Sequence, residues 1–175
     1  MSFHQHLLQQ TSAERADFLT LPILRDALEA RITRQDYIAF LTQAYHHVRH
    51  TVPLLMACGA RLPARLEWLR TALGEYIEEE MGHQEWILDD LEACGTDRAA
   101  IAASEPAHAT ELMVSYAYDT IARRNPVGFF GMVLVLEGTS VALATRAAET
   151  IETSLGLPRT AFSYLRSHGD LDIEH

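Results

Sequence analysis

Residues 127–154 read VGFFGMVLVLEGTSVALATRAAETIETS, and the fold turns on whether this run is helix or strand. Residues 133–136 alone would pass as a short buried strand. A buried strand spans only about four to eight residues, however, and the flanks of this run extend a helical pattern. The segment is therefore read as the most apolar helix of an all-α protein. Gly156, Leu157 and Pro158 close it. Within it sits Glu137, surrounded by Val133, Leu134, Val135 and Leu136. A buried carboxylate without a partner is costly and tends to protonate. A metal ion, a basic residue from another helix, or a place at the helix edge would each remove that cost.

The segments on either side carry the same periodicity. Thr11 or Ser12 can start a first helix, with Phe18, Leu21, Leu24 and Leu28 recurring at three and four residues. Pro22 starts a helix or bends one there. Thr33 is an N-cap candidate for a helix bearing Tyr37, Phe40, Leu41, Ala44 and Val48. Pro53 predicts a kink over residues 49–53. Residues 64–93 read as one long helix that stops at Gly95, and Thr96 and Asp97 can cap a short helix after it. Residues 107–124 form another helix, ended before Asn125 and Pro126. A last helix begins at Arg159. These segments predict one domain over residues 1–175, about seven helices packed as a bundle. The pattern is still running at Asp172, Ile173, Glu174 and His175, so we expect the domain to continue past His175.

Composition excludes several classes. Fourteen basic against 24 acidic residues give a net charge of -10. That opposes nucleic-acid binding, which needs Lys and Arg on phosphates, and docking to anionic membranes. The longest strongly apolar stretch, residues 127–136, is too short to span a bilayer. Residues 1–14 lack the apolar run of a signal peptide. Cys58 and Cys94 make neither a disulfide framework nor a CxxC site. We read the chain as cytoplasmic.

Three segments carry metal-ligand chemistry. EEEMGH, residues 78–83, places Glu80 three residues before His83, so both can face one way on a helix; Glu79 is the four-residue alternative. Glu137 is the second element. HGDLDIEH, residues 168–175, places His168, Asp172 and His175 on one helical stripe. A solvated acidic face and a frayed polar end are the plain readings of the first and third segments. Together the three offer oxygen and nitrogen donors that suit iron or manganese. A two-metal set and a single 2-His-1-carboxylate triad both fit. His46, His47 and His50 fit zinc, a substrate-facing cluster, or partial burial with ordinary hydrogen bonds. Gly131 and Gly138 either leave room beside the ligands or allow close helix packing. Tyr76 either lines the site or packs elsewhere.

These three segments, in this order and at these intervals, resemble the haem-oxygenase-like superfamily in its branch of iron-containing redox enzymes, or haem-oxygenase-like diiron oxidases. The resemblance runs from about Leu21 to the end. It implies a haem-oxygenase-like bundle in which His83, Glu137, His168, Asp172 and His175 are metal ligands. Some relatives carry the remaining carboxylate seven residues before the His, where this chain has Tyr76; others use a three-residue interval, which gives Glu80. The metal motif argues against the thiaminase-type and metal-free quinone-cofactor relatives. True haem oxygenases use a His near the start of the first helix, whereas His4 and His6 precede the expected one.

The resemblance implies a non-haem diiron oxygenase or oxidase using Fe(II), two ions, with dioxygen as cosubstrate on a small organic substrate. Glu80 and His83 would hold one iron, with His168, Asp172 and His175 around the second and Glu137 as a bridge. Glu80, His83, Glu137 and Asp172 are the residues assigned to catalysis. A homodimer and an external electron donor accord with the same resemblance. Relatives oxidise amino acids, fatty acids or aryl compounds, so no substrate is singled out. A mononuclear iron enzyme and a non-catalytic helical protein that binds small molecules are the alternatives.

Overall fold

Thr33 caps the helix assigned to it. The Asp36 N–H donates to the Thr33 hydroxyl at 3.2 Å, and the Thr33 N–H donates to the Asp36 carboxylate at 2.8 Å. This reciprocal box starts α4 (Arg34–Val48). The computed structural model describes residues 1–171, with the side chains of residues 140–142 and 168–171 outside that description. Among the described residues, helices are joined by turns and loops with no strand.

Among the described residues, eleven α-helical segments replace the expected seven or so. Three precede α4: α1 (Phe3–Gln10), α2 (Ser12–Leu19) and α3 (Pro22–Leu28). The first begins earlier than expected, because Ser2 and Gln5 form a second capping box. His4 and His6 therefore lie on a helix, exposed to solvent.

The expected kink before Pro53 is a full break. Helix α4 stops at Val48 and α5 (Thr51–Arg61) restarts after His50. Pro53 then occupies the first turn of α5, where its missing N–H removes no intrahelical bond.

The single long helix over residues 64–93 is also divided, into α6 (Glu67–Glu80) and α7 (His83–Ala93). Gly82 adopts φ +96°, a left-handed conformation that a side chain makes costly. Asp97 caps α8 (Arg98–Ala102) through the N–H groups of Ala99 and Ala100. Next come α9 (His108–Arg123), α10 (Phe130–Leu155) and α11 (Ser163–Leu171). The apolar run is thus helix, and it bends by 47° between Pro126–Thr139 and Leu143–Leu155. Gly156 ends it at φ +62°.

Two apolar clusters hold the elements together. Tyr37 and Leu41 of α4, Ile87 and Leu91 of α7, Ala148 of α10, and Phe162 form one. Leu54 and Leu55 of α5, Leu73 of α6, Ile121 of α9, and Phe129 form the other. Each fully buried leucine contributes roughly 1.5–3 kcal/mol. Tyr37 ties the first cluster down by donating its hydroxyl to the Ala161 carbonyl at 2.8 Å. Cys58 and Cys94 are buried and unbridged. No single helix among the described residues is long and apolar enough to cross a membrane.

Candidate metal centre

Glu80 is the last residue of α6 and His83 the first of α7. They do not share a continuous helix, as their spacing predicted. The left-handed turn at Gly82 nevertheless brings the His83 Nδ1 to 3.2 Å from the Glu80 carboxylate. Both side chains are buried, at 6% and 3% exposure, whereas Glu78 and Glu79 face solvent. Of the carboxylates of Glu79 and Glu80, that of Glu80 is the one buried against His83. His83 stacks on Trp86 with ring centroids 4.1 Å apart, which restrains the imidazole plane.

Glu137 approaches from α10. Glu80 and Glu137 line one pocket of about 60 Å³ at the junction of the two apolar clusters. Helices α4, α5, α6, α10 and α11 all reach it, through His47, Thr51, Tyr76, Met132 and Tyr164 among others. Tyr76 donates its hydroxyl to Glu137 Oε1. Tyr76, Val133 and Glu137 also form the wall of an outer pocket of about 320 Å³, on which Glu75 and Glu79 lie. The phenol–carboxylate pair is therefore common to both pockets. An added Cβ at Gly131 or Gly138 meets no described atom within 4 Å, so neither glycine is explained by tight packing.

The three histidines of α4 and its end do not converge. His46 is held by Ser104 at 3.0 Å, and His50 by the Tyr118 hydroxyl at 3.2 Å. Burial, then the neighbouring Arg49 charge, lowers the pKa of each ring and favours its neutral form. His47 differs: its Nδ1 lies 3.2 Å from the Gln43 carbonyl and its ring faces the inner pocket. Sequence spacing gave no means of separating His47 from its two neighbours. Tyr164 was likewise not anticipated at this pocket.

His168 lies on α11, with its side chain outside the described residues, as are Asp172 and His175 altogether. Among the described residues, no three His, Cys, Asp or Glu side chains come together as a metal site. Glu80 and His83 meet at the turn between α6 and α7, and Glu137, within α10, shares a pocket with Glu80; the three side chains are oxygen and nitrogen donors. That chemistry fits iron.

A model of the family described as iron-containing redox enzyme matches residues 38–175. A crystal structure from Shewanella denitrificans OS217, a domain of unknown function with a haem oxygenase-like fold, superposes with a TM-score of 0.85. It is 24% identical and covers 100% of this chain and 75% of its own. A comparison with curated proteins returned no match. The chain has the haem oxygenase-like fold and belongs to the iron-containing redox enzyme family.

Proposed function

We propose that this chain is a non-haem diiron oxygenase or oxidase acting on a small organic substrate. The observation that carries the reading is the pairing of Glu80, in contact with His83, and Glu137 across one interior pocket. Glu80 is buried and Glu137 half-buried, and a cation between two carboxylates on one pocket offsets their repulsion and lost hydration. Bound iron supplies the electron transfer that couples dioxygen to substrate oxidation.

The chain's own residues do the rest. Glu80 and His83 would hold one ion, and His168, Asp172 and His175 the other, with Glu137 as a further carboxylate ligand. Tyr76 holds Glu137 by its hydrogen bond and keeps a proton next to the carboxylate. Phe129, Met132 and Val133 give this pocket an apolar wall, beside which charge interactions are stronger than in bulk water.

A mononuclear reading draws on Tyr76, which stands where some relatives have a carboxylate and occupies an oxygen of Glu137. Anaerobic loading with Fe(II), followed by iron analysis and Mössbauer spectroscopy, separates the two. Two coupled ions per chain are expected. One ion selects the mononuclear site. No bound iron, with turnover unchanged in Glu137→Ala and His83→Ala, would falsify both.

A further inference from the structure

A second cavity adjoins the carboxylate pocket. It measures about 210 Å³ and shares His47, Leu136 and Tyr164 with that pocket. Its walls come from Ile23, Leu24 and Ala27 of α3, Leu143 and Ala147 of α10, and Leu165 of α11. The other polar residues on it are already engaged. Asp36 serves the Thr33 cap, Tyr37 donates to the Ala161 carbonyl, and Thr139 donates to the Val135 carbonyl at 2.6 Å. Among the described residues, no Arg or Lys lines either cavity. The pocket is open to solvent at Ile23 and Phe40, and its apolar lining favours an apolar guest.

We infer that this chamber binds an aliphatic chain of the substrate, with the reacting end passing His47, Leu136 and Tyr164 to reach Glu80 and Glu137. The inference rests on the iron-oxidase reading for the reaction itself. The chain is recognised by burial. The head group is met by tyrosine, histidine and carboxylate, and by no fixed cation. Ala27 and Ala147 set the length of chain that fits, because larger side chains at either position fill the chamber.

The test is calorimetric binding of n-butyl, n-hexyl and n-octyl amines, alcohols and carboxylates to the full chain, with iron content measured separately. Affinity is expected to rise about four-fold per methylene, from roughly 0.8 kcal/mol per buried CH₂. Ala147→Phe should abolish the gain between hexyl and octyl while leaving iron content unchanged. Ala27→Leu, a smaller change, gives the same readout if Ala147→Phe does not fold. The ranking of the three heads assigns the substrate's polar group. Affinity independent of chain length, or equal length dependence in wild type and folded variants, overturns the inference. A chain-length effect in a protein that takes up no iron leaves the chamber standing and removes the iron-oxidase reading.

Discussion

The carboxylate of Asp90 on α7, wholly buried, accepts the backbone N–H of Tyr164 at the start of α11 at 2.9 Å. It accepts the Ser163 N–H at 2.8 Å as well. One side chain thus satisfies two of the donors that the first turn of α11 leaves without intrahelical partners. The relationship bears on the site because α7 begins at His83, while Tyr164 faces both interior cavities. Helix α7 therefore sets the register of the helix that carries His168.

Asp90→Ala leaves two buried donors unmet and should cost roughly 3 kcal/mol of folding stability. Asp90→Asn keeps one acceptor and should cost roughly 1–2 kcal/mol. Burial raises the Asp90 pKa, against the lowering effect of the Tyr164 and Ser163 N–H groups. The ionised form is thus held at some cost, and the amide is the closer substitute. Urea denaturation of the three proteins gives both differences. Equal losses for Ala and Asn would show that the acceptor oxygens are not what matters.

Much of the fold is written in local sequence. The Thr33 cap, the Gly95 and Gly156 stops, the Asp97 cap and the boundary at Pro126 each depend on residues within one turn of each other. The break between Glu80 and His83 was not legible, because the apolar periodicity of residues 64–93 continues across it. Its one local sign was Gly82. Asp90 was not legible either, since its partners lie 73 and 74 residues away. For the candidate site, spacing named Glu80, His83 and Glu137; Glu80 touches His83 and shares a pocket with Glu137. Their environment depends on His47, Tyr76 and Tyr164, which arrive from three different helices.

Gly82→Ala forces a side chain into the left-handed turn and should cost about 1–2 kcal/mol. An added Cβ meets no described atom within 4 Å, so the loss is conformational and not a clash. Because that turn brings Glu80 to His83, iron uptake should fall along with stability. Gly82→Asn, which tolerates this conformation better, should recover part of both. Thermal melts and iron analysis on the same samples measure the two effects. Full stability in Gly82→Ala would mean that the turn is not required.

The Thr33 cap predicts a pH dependence with a definite sign. The Thr33 backbone N–H, then its hydroxyl, lowers the folded-state pKa of Asp36 below the ordinary 3.8. A lowered carboxylate contributes stability above its unfolded pKa and loses it as pH falls through the folded value. Wild type should therefore lose melting temperature faster than Asp36→Asn as pH falls from about 5 through this acid range. Parallel melting curves for the two proteins would assign the acid sensitivity to other carboxylates.

Tyr76 and Glu137 give the sharpest test of the site. The phenol donates to one oxygen of a carboxylate proposed as an iron ligand, so that oxygen would serve the hydrogen bond and the metal together. Tyr76→Phe removes the donor, at a stability cost of about 1 kcal/mol, and leaves both Glu137 oxygens to iron. Glu137→Ala removes the carboxylate itself. Fe(II) affinity should therefore rise or hold in Tyr76→Phe and fall at least about ten-fold in Glu137→Ala, since one lost ligand contact exceeds about 1.4 kcal/mol. Anaerobic titration with a competing chelator reads both constants. A loss of iron in Tyr76→Phe as large as in Glu137→Ala would place the phenol among the groups that hold the metal. Unchanged affinity in Glu137→Ala would take Glu137 out of the site altogether.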